Sequence, residues 1–101
     1  MTKKYLPLLE VLTGASVLQR KAILRTLTKQ QLRAILEAVY NVLRGTCPLH
    51  PKDKKTLFEY RDIIRRMVSK KLSEKQQRLL VNKYQNILPL LLKPAIRALK
   101  Q

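Results

Sequence analysis

The stretch from Thr28 to Gly45 constrains the fold more than any other part of the chain. Thr28 and Gln31 have capping-box spacing, in which two side chains satisfy backbone N–H groups left free at a helix start. Leu32, Ile35, Leu36, Val39, Val42 and Leu43 then recur at three- and four-residue steps, giving one apolar face along the helix. Gly45 follows as a stop, because glycine adopts the left-handed conformation that ends many helices. A helix over 29–44 is predicted. Its apolar face needs other helices to cover it.

The rest of the chain carries similar signals. A first helix is expected from Tyr5 to Thr13, with Leu8, Leu9 and Leu12 on one face and Gly14 as its stop. Ser16 caps a second, Val17 to Leu27, which turns Ile23, Leu24 and Leu27 inward and Arg20, Lys21 and Arg25 outward. Pro51 suits the first position of a fourth helix, with His50 as cap and Asp53 complementing the helix dipole. That helix is expected to reach Lys71, burying Leu57, Tyr60, Ile64, Met67 and Val68. Ser73 and Gln76 open a fifth, to Lys83 through Leu79 and Leu80. Asn86 is expected to cap a last apolar segment, which Pro94 should kink or split. No alternating run competes as a strand. With scarce aromatics (Phe58, Tyr5, Tyr40, Tyr60, Tyr84) and no Trp, the core must be aliphatic. The expectation is an all-α fold, a compact bundle of five to six short helices forming one basic domain over residues 1–101.

Charge carries the functional signal. The chain has 22 Lys and Arg against 6 Asp and Glu, a formal +16 in 101 residues. Self-repulsion at that density opposes compaction unless a polyanion relieves it. Nucleic acid is the favoured polyanion, DNA ahead of RNA, and an anionic membrane surface stands second. Lys21, Arg25 and Lys29 form a stripe at four-residue spacing. Lys54, Arg61 and Arg65 share a helix face, with Arg66 and Lys70 on the adjacent ridge, and Lys71, Lys75 and Arg78 continue the surface. Residues 52–78 hold ten basic side chains against four acids. The expected contact set is Lys21, Arg25, Lys54, Arg61, Arg65, Arg66, Lys70, Lys71, Lys75 and Arg78. A solvated charged face is the competing explanation, and the net charge disfavours it. Specific base reading by a helix-turn-helix around Leu27-Thr28, with Gln30, Gln31, Arg33 and Glu37 exposed, has less support because the turn lacks a glycine. Tyr40, Tyr60 and Tyr84 are expected in the core or at its rim rather than as stacking platforms.

Catalytic chemistry finds little to work with. The single Cys and single His, Cys47 and His50, share one loop, and a nucleophile and base must converge within about 3 Å. Both are expected in structural roles, and Asp62 and Glu59 are expected to balance neighbouring arginines. Structural zinc draws four ligands mostly from Cys and His, and this chain has two such residues. No enzyme activity, metal, cofactor or small-molecule substrate is expected. The segment Tyr5 to Val17 holds Pro7, Glu10 and Gly14, which suit a secretory leader poorly, and Ile87 to Leu99 is too short to span a bilayer. The expectation is a soluble intracellular protein that is not secreted.

Ile87-Leu88-Pro89-Leu90-Leu91-Leu92 is apolar around more than one face. One reading is a central core helix. The other is a surface for a second copy or a protein partner, with Leu88, Leu91, Leu92 and Ile96 as its contacts.

Asn41-Val42-Leu43-Arg44-Gly45, then Lys70-Lys71-Leu72-Ser73, then the Leu-rich Leu88 to Leu92 occur in an order similar to small basic helical proteins encoded by Polinton or Maverick-type DNA elements and adintovirus-like genomes. The likeness covers about Arg20 to Leu92. Those proteins often have a glycine pair where this chain has Lys83-Tyr84-Gln85. The resemblance implies a virus-like or transposon context, in the nucleus or a virion interior. There a basic nucleoprotein would coat or condense DNA, or associate with a capsid protein. It implies no catalytic residues.

Overall fold

The computed structural model describes residues 3–101 and contains six α-helices. They are α1 (Leu6–Gly14), α2 (Val17–Arg25), α3 (Lys29–Leu43), α4 (Pro51–Met67), α5 (Glu74–Lys83) and α6 (Leu88–Leu99), with short 3-10 turns at Lys3–Tyr5 and Gln85–Ile87. No strand occurs among the described residues. The all-α expectation holds.

Side-chain caps set most helix starts. Ser16 and Gln19 open α2, Thr28 and Gln31 open α3, and Ser73 and Gln76 open α5, each as a reciprocal capping box. At α3 the Thr28 hydroxyl accepts from the Gln31 amide at 3.1 Å, and Gln31 Oε1 accepts from the Thr28 amide at 2.9 Å. At α4 the Asp53 carboxylate accepts from the His50 backbone N–H at 3.1 Å.

Helix ends depart from expectation in instructive ways. Gly45 ends α3 with φ +79°, as its position predicts. Gly14 does not: it is the last residue of α1, and the chain leaves through an extended Ala15. Arg20 ends α1 instead. Expected on the outer face of α2, it is buried, with Nε donating to the Leu12 carbonyl at 3.0 Å and Nη2 to the Ala15 carbonyl at 2.9 Å. A guanidinium there satisfies carbonyls that have no N–H partner and meets the negative end of the helix dipole. Helix α4 stops at Met67 rather than Lys71. Ser69 Oγ accepts from the Lys71 amide, and Gln77 Nε2 of α5 donates to the Ser69 carbonyl at 3.3 Å, which holds the chain in a turn.

The center of the bundle is α6, which packs against α1, α3 and α4. Leu88, Leu91, Leu92, Ala95 and Ile96 join Leu9, Leu12, Ile35, Val39, Val42, Ile64 and Met67 in one aliphatic core. Leu88, Leu91, Leu92 and Ile96 are thus buried within this chain and do not present the partner surface expected of them. Asn86 lies in the 3-10 turn and does not cap α6. Pro94 does not split α6, which runs through it from Leu88 to Leu99. Its ring is buried in the core, and the residue whose carbonyl loses its N–H partner, Leu90, stands on the side facing water. On α5, Leu79 is 63% exposed and Val81 takes the core position.

The two glycines should respond oppositely to alanine. A Cβ meets nothing within 4 Å at either site, so only backbone conformation differs. Gly45→Ala should destabilize by about 1 kcal/mol because φ is positive, and Gly14→Ala should stabilize by about 0.5 kcal/mol inside a helix. Urea unfolding of the two variants checks both signs.

Candidate nucleic-acid interface

The basic residues fall into two populations, those consumed by the fold and those left in water. Four are consumed. Arg20 caps α1. Arg97 of α6 binds Asp53 at the start of α4, with Nη2 2.7 Å from Oδ2. Lys100 reaches Glu10 of α1 at 3.2 Å. Arg78 pairs with Glu74 at 3.2 Å and donates from Nη1 to the Leu27 carbonyl at 2.9 Å, pinning α5 to the α2–α3 connection. Arg78 is therefore half-buried and engaged, the one member of the expected contact set with a structural task.

The other nine members of that set stand in water. Lys21 and Arg25 on α2, Lys54, Arg61, Arg65 and Arg66 on α4, Lys70 and Lys71 on the α4–α5 connection, and Lys75 on α5 are all exposed. None makes a salt bridge among the described residues. Because α4 ends early, Lys70 and Lys71 sit on a turn rather than on the helix ridge. Glu59 and Asp62, expected to balance the α4 arginines, make no salt bridge among the described residues either. Helix α5 contacts both α2 and α4, so the elements carrying these cations adjoin one another.

Two exposed aromatic side chains lie outside the expected set. Phe58 is 67% exposed, with the Arg61 guanidinium 4.7 Å from its ring center. Tyr40, expected in the core or at its rim, is also exposed, with the Arg44 guanidinium 5.4 Å from its ring center. It lines an open groove of about 670 Å³ between α3 and the α4–α5 connection, together with Arg33, Val68, Lys70 and Leu72. A helical-wheel reading of α4 could have found Phe58, since it falls between Lys54 and Arg61 on the basic side. Tyr40 had no such signal, because its exposure depends on how α3 packs.

The helix-turn-helix arrangement loses its basis here. Helix α2 packs mainly on α5 and the 3-10 turn before α6, and the Gln31 side chain is spent in the α3 cap. Cys47 is buried in the core cluster and His50 is exposed at the start of α4. No group of three His, Cys, Asp or Glu side chains fit to hold a metal occurs among the described residues. Among the described residues, no helix is long and apolar enough to cross a membrane.

No known family model, curated protein or solved structure matches the chain.

The Asp53–Arg97 pair gives the fold a pH dependence. Burial of Asp53 raises its pKa, but the Arg97 hydrogen bond and the His50 amide outweigh this and hold the carboxyl below its ordinary 3.8. A lowered folded-state pKa adds stability that is present above the unfolded value near ~3.9 and lost as pH falls through the folded value. Asp53→Asn should therefore cost about 1 kcal/mol at neutral pH, the modest size reflecting partly exposed Arg97. In urea melts across a pH series, the difference from the parent should shrink as pH falls below ~4.

Proposed function

We propose that this chain is a non-enzymatic DNA-binding protein that grips phosphates through the exposed basic surface of α2, α4, the α4–α5 connection and α5. The observation that carries this reading is the division of its cations. Four serve the fold, and nine of the ten expected contact residues are exposed with no acidic partner among the described residues. Retaining so much unpaired charge costs stability through self-repulsion, and a phosphate backbone relieves it while releasing counterions. Such contacts carry no base sequence, so the mode is coating or condensation rather than operator recognition. The likeness to basic proteins of Polinton-type elements and adintovirus-like genomes supports a role as a virus-like or transposon-encoded nucleoprotein, acting in the nucleus or within a virion.

A second reading, a helical interaction or capsid-associated module, is favored by a different surface from the Leu-rich segment. Val11, Val17 and Leu18 are 54%, 55% and 79% exposed on α1 and α2. Val11 lines a shallow groove with Gly14, Ala15, Ala22 and Ile23, and Val17 lines a second with the exposed Leu79. Self-association that persists at high salt would mark that apolar surface as an interface.

Binding of nuclease-treated protein to labeled duplex DNA across a salt series, with unrelated sequence as competitor, tests the main reading. About eight phosphate contacts give a log–log salt slope near ~−7. Arg61→Ala, Arg65→Ala and Arg66→Ala combined should reduce its magnitude by about 2.7, three contacts at about 0.9 each. An unchanged slope removes α4 from the interface, and negligible binding near physiological salt overturns the reading.

A further inference from the structure

The chain has one phenylalanine and spends it on solvent. Its core is aliphatic, with Tyr60 and Tyr84 packed against it, and Phe58 belongs to neither group. A large apolar ring 67% exposed needs an explanation that a buried one does not.

Its setting on α4 supplies one. Lys54, Phe58, Arg61 and Arg65 follow steps of four, three and four residues, so they form one ridge about 16 Å long at the helical rise. All four are exposed. The Arg61 guanidinium lies 4.7 Å from the ring center, within cation–π range, and orders the ring. Three cations flank the ring and make this ridge hostile to an apolar protein surface, which would have to desolvate them. They suit an anionic strand. Proteins that bind single-stranded nucleic acid combine these two elements, a cationic track for the backbone and an aromatic face on which a base stacks.

We infer that Phe58 is a base-stacking position, and that the α4 ridge prefers unpaired nucleotides to duplex of the same charge. This rests on the nucleic-acid reading above and adds the strand form it selects. In a duplex each base is covered above and below by its neighbors, so its π-face is closed to a protein ring. In a single strand that face is open. Phosphates either side of the stacked base meet Lys54, Arg61 and Arg65. Phenylalanine has no hydrogen-bonding group, so the contact is indifferent to base identity.

The chain contains no Trp, so Phe58→Trp places a single fluorescent reporter at the site. Anisotropy of end-labeled oligo(dT), and of a duplex of equal length, reports binding separately from the indole signal. The expected result is quenching of the indole by oligo(dT) at saturation, with much weaker quenching by the duplex. Phe58→Ala and Phe58→Leu should each weaken oligo(dT) binding about five- to tenfold, with duplex affinity and the salt slope unchanged, while Phe58→Tyr retains parent affinity. Phe58 packs outside the core, so circular dichroism of these variants should match the parent. Binding of both probes with equal quenching, or with no loss in Phe58→Ala, overturns the stacking assignment and leaves the phosphate reading standing. Rescue by Phe58→Leu also overturns it, since an aliphatic side chain cannot stack. Failure of both probes to bind the parent overturns the phosphate reading and this inference together.

Discussion

Charge repulsion governs this structure: a +16 chain must fold around a core with almost nothing acidic to offset it. The solution is segregation. Every fully buried large side chain is aliphatic or Met, and nearly all the cations stay where water screens them. The acids are too few to form a compensating network, and three of them serve as struts. Asp53 and Glu10 hold the C-terminal half of α6 to α4 and α1, and Glu74 orients Arg78 toward the α2–α3 connection. These pairs stand at helix junctions, where they fix geometry, rather than along the basic faces.

Burying α6 makes that segregation possible. With Leu88, Leu91, Leu92, Ala95 and Ile96 all inward, one short helix supplies apolar surface to three others. The surrounding helices then need only one apolar stripe each, leaving the remainder of α2, α4 and α5 to carry charge. Arg20 is the exception to the division. Two carbonyls at the end of α1 take the place of water around its guanidinium, so its burial needs no carboxylate.

Much of this architecture was legible in the sequence because it is local. The Ser16, Thr28 and Ser73 caps, the Pro51 start and the Gly45 stop depend on residues a few positions apart, and each forms as its spacing predicts. What escaped depends on packing. Arg20 stands three, four and seven residues before Ile23, Leu24 and Leu27, so helical spacing puts it on the inward face of α2, but its task as the cap of α1 depends on the approach of that helix. The Leu-rich segment suits both a core and an interface, and its burial follows from how many neighbors surround α6. Pro94 looked like a breaker because the lost hydrogen bond is visible in sequence while the compensating burial of its ring is not. At the candidate interface, the exposure of Lys21, Arg25, Lys54, Arg61, Arg65, Arg66 and Lys75 was legible from helical spacing, and the same spacing places Phe58 beside Lys54 and Arg61, whereas the turn that carries Lys70 and Lys71 and the engagement of Arg78 depend on packing.

Under the proposed function, nucleic acid is the missing counter-charge of the fold. A ligand that binds only the folded state raises its stability by mass action, and here it also relieves repulsion among the cations. The decisive measurement is the thermal midpoint of the protein at low ionic strength, before and after saturating duplex DNA of arbitrary sequence. The account predicts a rise in midpoint that added salt abolishes. A midpoint that saturating DNA leaves unchanged would contradict it.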